Sequence, residues 1–94
     1  MFTAECAELY PIATRSYGAV NYKRAIECLE RIVLKDEKYS NGEAIYMLMD
    51  IYHKQNDTEK ATAKYNRLME LFPDTDVANR AKAIMSPTEQ PATE

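Results

Sequence analysis

Glycine, histidine, cysteine and tryptophan are all scarce: 94 residues hold two glycines, one histidine, two cysteines and no tryptophan. Each shortage removes a kind of chemistry. Gly18 and Gly42 alone cannot form a glycine-rich phosphate loop or a G-x-S-x-G elbow. His53 alone cannot build a zinc site without cysteine or carboxylate help, and no H-E-x-x-H occurs. Cys6 and Cys28 make no C-x-x-C, and they fall on predicted helices about two turns out of register. They read as two small buried or half-buried thiols rather than a bridge. A Cys/His dyad would need one of them beside His53, in a different helix pair. The sequence therefore carries no enzyme motif, no cofactor site and no metal site.

Long apolar runs and a strong charge of one sign are missing too. The longest apolar run, Ala44 to Met49, has six residues and includes a tyrosine, far from the ~20 needed to cross a bilayer. The first residues lack a charged region followed by an apolar core, so no signal peptide is expected. A cytoplasmic protein and an excised piece of an anchored extracytoplasmic one both fit. The net charge is −3, with bases interspersed among acids. Nucleic acid is excluded as a partner, because binding its backbone needs clustered Lys and Arg.

What is present is helical periodicity. Ala44, Ile45, Leu48, Ile51 and Tyr52 recur at three- and four-residue steps, which makes one helix face. Ser40-Asn41-Gly42-Glu43 has the S-x-x-E form of a capping box at its start. Asn56 or Asp57 caps the next helix, from Thr58 to about Leu71, which Pro73 closes by forcing Phe72 out of helical conformation. A further helix is expected over 75–85, capped by Asp74 or Thr75, with Val77, Ala78, Ala81 and Ile84 on its apolar face.

The pattern occurs twice. Thirty-six residues before Ala61 stands Ala25; the same step pairs Tyr46 with Tyr10, Asp57 with Asn21, Leu68 with Ile32 and Arg67 with Arg31. Two helix–turn–helix units of matching apolar positions follow, about 5–38 and 41–73, with the helix at 75–85 covering the second. The whole of 1–85 reads as one domain. A helical hairpin cannot bury its face alone, so it needs a neighbour of the same shape. Residues 86–94, SPTEQPATE, have two prolines and no large apolar side chain, and read as a disordered tail or linker.

The repeat resembles the tetratricopeptide family, whose pattern is W-x2-L-G-x2-Y, then A-x3-F, then P. The second unit has Ile45-x2-Leu48-Met49-x2-Tyr52, then Ala61-x3-Tyr65, then Pro73, with every spacing kept. The first unit is a degenerate copy: Leu9-x2-Ile12-Ala13-x2-Ser16, Ala25-x3-Leu29, then Glu37. The resemblance implies an all-α, right-handed α-solenoid of antiparallel hairpins with about five helices. The step is 36 rather than the family's 34, and the extra residues are expected at Lys38 to Asn41. Met49 stands where the family has a small residue, which should loosen the crossing. Pro11, inside the first helix, either kinks it or starts it as the first helical residue; Tyr10 is a poor cap, which favours a kink.

The family binds peptides or partner proteins in a groove lined by the first helix of each hairpin. The resemblance therefore implies a protein or peptide partner and a concave stripe of Tyr10, Thr14, Tyr17, Tyr46, Met47, Asp50, His53 and Lys54. Asp50 and Lys54 are spaced to pair. The plain alternatives are tyrosines that merely cover the core and a solvent-facing His53. Lysine, asparagine and arginine are absent from the places where one subtype clamps acidic chaperone tails, which argues against that ligand. A self-associating or structural unit, possibly a homodimer, is the other reading.

Overall fold

The computed structural model describes residues 2–85, with side chains from residue 6 onward; the expected tail at 86–94 lies outside the described residues. Five α-helices run in order: α1 Phe2–Gly18, α2 Tyr22–Lys35, α3 Glu43–Lys54, α4 Thr58–Leu71 and α5 Asp76–Met85, with a 3-10 turn at Tyr39–Gly42 before α3. No strand occurs among the described residues. The protein is all-α.

The 36-residue step is repeated bond for bond. α1 ends at Gly18 and α3 at Lys54; α2 and α4 both have 14 residues. Val20 and Asn56 adopt the left-handed conformation. Val20 N–H donates to Tyr17 O and Asn21 N–H to Ser16 O, as Asn56 does to His53 O and Asp57 to Tyr52 O. This is the Schellman ending, which satisfies the last carbonyls of a helix. The residue that ends the first helix then caps the second. Asn21 Oδ1 accepts from Arg24 N–H at 3.5 Å and Asp57 Oδ1 from Lys60 N–H at 3.3 Å.

α3 is the central helix: eight of its twelve residues are buried. On one side its Leu48, Ile51 and Tyr52 join Ala25, Leu29 and Ile32 of α2. On the other, Ile45 and Met49 join Leu68 of α4 and Val77 and Ala81 of α5. Each large apolar side chain fully withdrawn from water stabilises by roughly 1.5–3 kcal/mol. Met49, 0% exposed, fits because α5 presents small residues to it. The opposite side of α5 carries the exposed Asn79, Lys82 and Ala83. Thr75 caps α5: its Oγ1 accepts from Ala78 N–H at 3.2 Å and donates to Phe72 O at 2.7 Å.

Two expectations need correction or sharpening. Ser40 forms no capping box. Ser40 and Asn41 are both left-handed, and the residue capping α3 is Gly42, at φ 92° with no side-chain bond. The reason is tertiary: the inserted segment has to turn tightly to bring Gly42 against Phe72 and Leu68. Glu37, at the place of the family's proline, is held by Arg67, whose Nε and Nη2 donate to its carboxylate at 2.5 and 2.8 Å. Pro11 does not start α1, which runs through it from Phe2. Cys6 and Cys28 are both buried thiols.

Candidate functional site

Tyr10, Thr14 and Tyr17 follow one another along one side of α1, at four- and three-residue steps, and all three are half-buried. On α3, Tyr46, Asp50 and His53 follow the same spacing. The two stripes meet where Tyr17 hydroxyl donates to Asp50 Oδ2 across the helix pair. Lys54 Nζ reaches the same carboxylate oxygen at 3.1 Å and lies 5.5 Å from the centre of the Tyr17 ring. Tyr17 also tilts against Tyr22, ring centres 6.4 Å apart.

The stripe extends both ways. Towards the 3-10 turn, Tyr10 meets Tyr39 edge-on at 5.4 Å, and its hydroxyl accepts from Ser40 at 3.4 Å. Thr14 hydroxyl donates back to Pro11 O at 3.0 Å, a purely local bond. Towards α5, the Arg80 guanidinium lies over the Tyr46 ring at 4.7 Å and donates to Glu43. Asp76 adds a second carboxylate to Arg80 at 3.4 Å.

Two of the eight expected residues lie elsewhere than on an open surface. Met47 is 6% exposed and packs in the core, and Asp50 is 4% exposed. Burial from both sides of α3 is the cause: a helix flanked by two neighbours keeps little free surface. His53 and Lys54 are exposed. Tyr22, Tyr39, Glu43 and Arg80 belong to the same surface and went unnoticed in sequence. Glu43 had a signal, standing one turn before Tyr46 on the same face; Arg80 had none, since only the fold brings α5 beside α3.

Burial raises the Tyr17 hydroxyl well above the usual phenol range, and the hydrogen bond to Asp50 adds to it. Burial likewise raises Tyr46, with the Asp50 charge second. Lys54 is held protonated by its bond to Asp50. Tyr17 and Tyr46 therefore stay neutral and Lys54 stays charged at neutral pH. Among the described residues no group of three His, Cys, Asp or Glu is placed to hold a metal ion. No helix among them is long and apolar enough to cross a membrane.

Residues 43–75 match the tetratricopeptide repeat family. The match starts at the first residue of α3 and ends at Thr75, the cap of α5. The chain therefore contains a tetratricopeptide-like unit, and α1 and α2 repeat its geometry 36 residues earlier. No curated protein and no solved structure matches the chain. Tetratricopeptide repeats are in general protein-interaction modules, and their stacking creates the surface used. In this unit the motif residues Ile45, Leu48, Tyr52 and Ala61 are buried, while Tyr65 is half-buried. The motif builds the scaffold, and the residues between its positions supply the tyrosine face.

Proposed function

We propose that this chain binds a peptide segment or helix of a partner protein on the tyrosine face of α1 and α3, the concave face of the family. One observation carries the reading. Tyr10, Tyr17 and Tyr46 stay half-exposed above a core that Ala13, Met47 and Ile51 already close beneath them. Tyrosine at such a place offers a large, rigid contact area at little conformational cost, and it is enriched where binding energy concentrates. The test is titration of a captured partner against the native chain and against Tyr46→Ala and Tyr10→Ala. Affinity is expected to fall about tenfold or more for each, on the scale of one lost central contact. Unchanged affinity in both would place the contact elsewhere.

A second reading, self-association, is favoured by one feature. Leu34 of α2 is 84% exposed, beside an open hollow of about 460 Å³ lined by Glu30, Val33, Glu37 and Lys64. Sedimentation at two protein concentrations separates the two readings, with Leu34→Lys abolishing any dimer formed there.

A further inference from the structure

We infer that Asp50 is a positioning residue of the tyrosine face: it does not touch the ligand, and it holds Tyr17 and Lys54 in the places where the ligand meets them. The inference rests on the binding reading above and adds how the face is kept formed across the joint between the hairpins.

α3 is fastened to the first hairpin by the same constellation twice. In each, a carboxylate accepts from a tyrosine hydroxyl of another helix and pairs with a lysine at 3.1 Å, and a lysine lies 5.5 Å from the centre of that tyrosine's ring. One copy joins α1 to α3: Asp50 takes Tyr17 and Lys54, and Lys54 lies over the Tyr17 ring. The other joins α2 to α3 and α4: Glu30 takes Tyr52 at 2.6 Å together with Lys64, and Lys60 lies over the Tyr52 ring.

The two copies differ in their surroundings. The Glu30 side chain is 40% exposed, and its copy contains no residue of the tyrosine face. Asp50 is 4% exposed, too deep to offer a ligand a contact of its own. Its two donors are what a ligand can reach, since Lys54 is exposed and Tyr17 is half-buried. α3 packs on the first hairpin mainly through α2 and only lightly through α1. The bond from Tyr17 to Asp50 therefore carries a large share of what keeps the α1 stripe aligned with the α3 stripe. Hydrogen bonds to an ionised carboxylate are among the strong ones, and losing the Tyr17 hydroxyl leaves a buried Asp50 with Lys54 as its remaining partner. A face fixed before the ligand arrives spares binding the cost of ordering it.

A matched pair of variants tests the two copies against each other. Tyr17→Phe and Tyr52→Phe each remove one hydroxyl and keep the ring. The probe is a peptide selected on the native chain from a random phage-displayed library and titrated by calorimetry. Both variants should lower the melting temperature by a few degrees. Tyr17→Phe should also weaken the peptide about five- to tenfold, while Tyr52→Phe should change its affinity by less than about twofold. Asp50→Ala should weaken it at least as much as Tyr17→Phe, and Asp50→Asn, whose amide oxygen can still accept from Tyr17, should recover part of that loss. Tyr17→Phe keeps the test valid should Asp50→Ala fold poorly. Tyr46→Ala is the control for the face itself. A peptide weakened by Tyr46→Ala but equally affected, or equally unaffected, by the two phenylalanine variants would overturn the inference and leave the binding reading standing. A peptide indifferent to Tyr46→Ala, or no peptide selected, would overturn both.

Discussion

Val20 and Asn56 hold the same left-handed backbone, φ 63° and 64°, at matching points of the two hairpins. Asparagine tolerates that conformation, whereas a β-branched residue there is strained by about 1–3 kcal/mol. Val20 gains little in return, being 65% exposed. Val20→Asn is expected to stabilise the fold by about 1 kcal/mol, raising the melting temperature by roughly 4–8 °C for a domain of this size. Asn56→Val should lower it by a similar amount. Circular-dichroism melts of the two variants check both signs at once.

Gly42 gives the opposite case, a left-handed residue that cannot be replaced. It caps α3 at φ 92°, and a Cβ built there would lie 2.9 Å from the Phe72 ring and 3.0 Å from a Leu68 methyl. Gly42→Ala should cost about 1–3 kcal/mol from backbone strain and overpacking together. Gly18, where a Cβ meets nothing within 4 Å, is the control. Gly18→Ala should be neutral or stabilise by up to about 1 kcal/mol. Urea midpoints of the pair measure the difference.

These sites show which parts of the fold were legible in sequence. Local rules were: Asn21 and Asp57 cap the second helices, Pro73 follows the end of α4, and Ala25 and Ala61 are fully buried. The extra residues of the 36-residue step do fall in the turn around Ser40 and Asn41. What local rules could not supply was which residues several neighbours would cover. Ser40-x-x-Glu43 has the letters of a capping box, but docking against Phe72 made Gly42 the cap, and Glu43 turned to Arg80 of α5. Asp50 kept its expected partner Lys54, yet Tyr17, 33 residues earlier, also bonds it and helps bury it. The tyrosine stripe and the Asp50–Lys54 pair were readable from helical spacing; the pair of Arg80 with Glu43 was not, because it joins separate helices.

Two tyrosines make stability depend on alkaline pH. Tyr17 donates to Asp50 and Tyr52 to Glu30, the latter at 2.6 Å. Burial first, then the hydrogen bond, raises both phenols above the usual 10.0. A group raised on folding contributes stability in full below its unfolded value and loses it as pH rises. The urea midpoint should therefore hold up to about pH 10 and fall beyond it, while these two hydroxyls resist ionisation in tyrosinate absorbance. Tyr52→Phe should lower stability at neutral pH and flatten the alkaline fall. On the acid side Glu37 acts in reverse: its bond to Arg67 lowers it below 4.5, so its contribution is lost as pH falls under that value. The pair is largely exposed, which keeps this effect small.

The alanines test whether both hairpins close by the same contact. Ala25 and Ala61 stand at the same place in the second helix of each hairpin and are 0% exposed. Each donates its N–H to the capping residue of its own helix, Ala25 to Asn21 O at 3.1 Å and Ala61 to Asp57 O at 3.0 Å. The backbone there is fixed, so a larger side chain can only push the facing helix away. Ala25→Leu and Ala61→Leu should each cost about 1–3 kcal/mol. Ala63→Leu, on the exposed side of α4, should stay within about 0.5 kcal/mol of the native chain. Chemical denaturation of all three decides the matter. Equal losses at 25 and 61 mean that the degenerate first hairpin crosses as tightly as the second, although it lies outside the span that matches the family. A loss at 61 alone would mean that α1 and α2 share the repeat's turns without its close crossing.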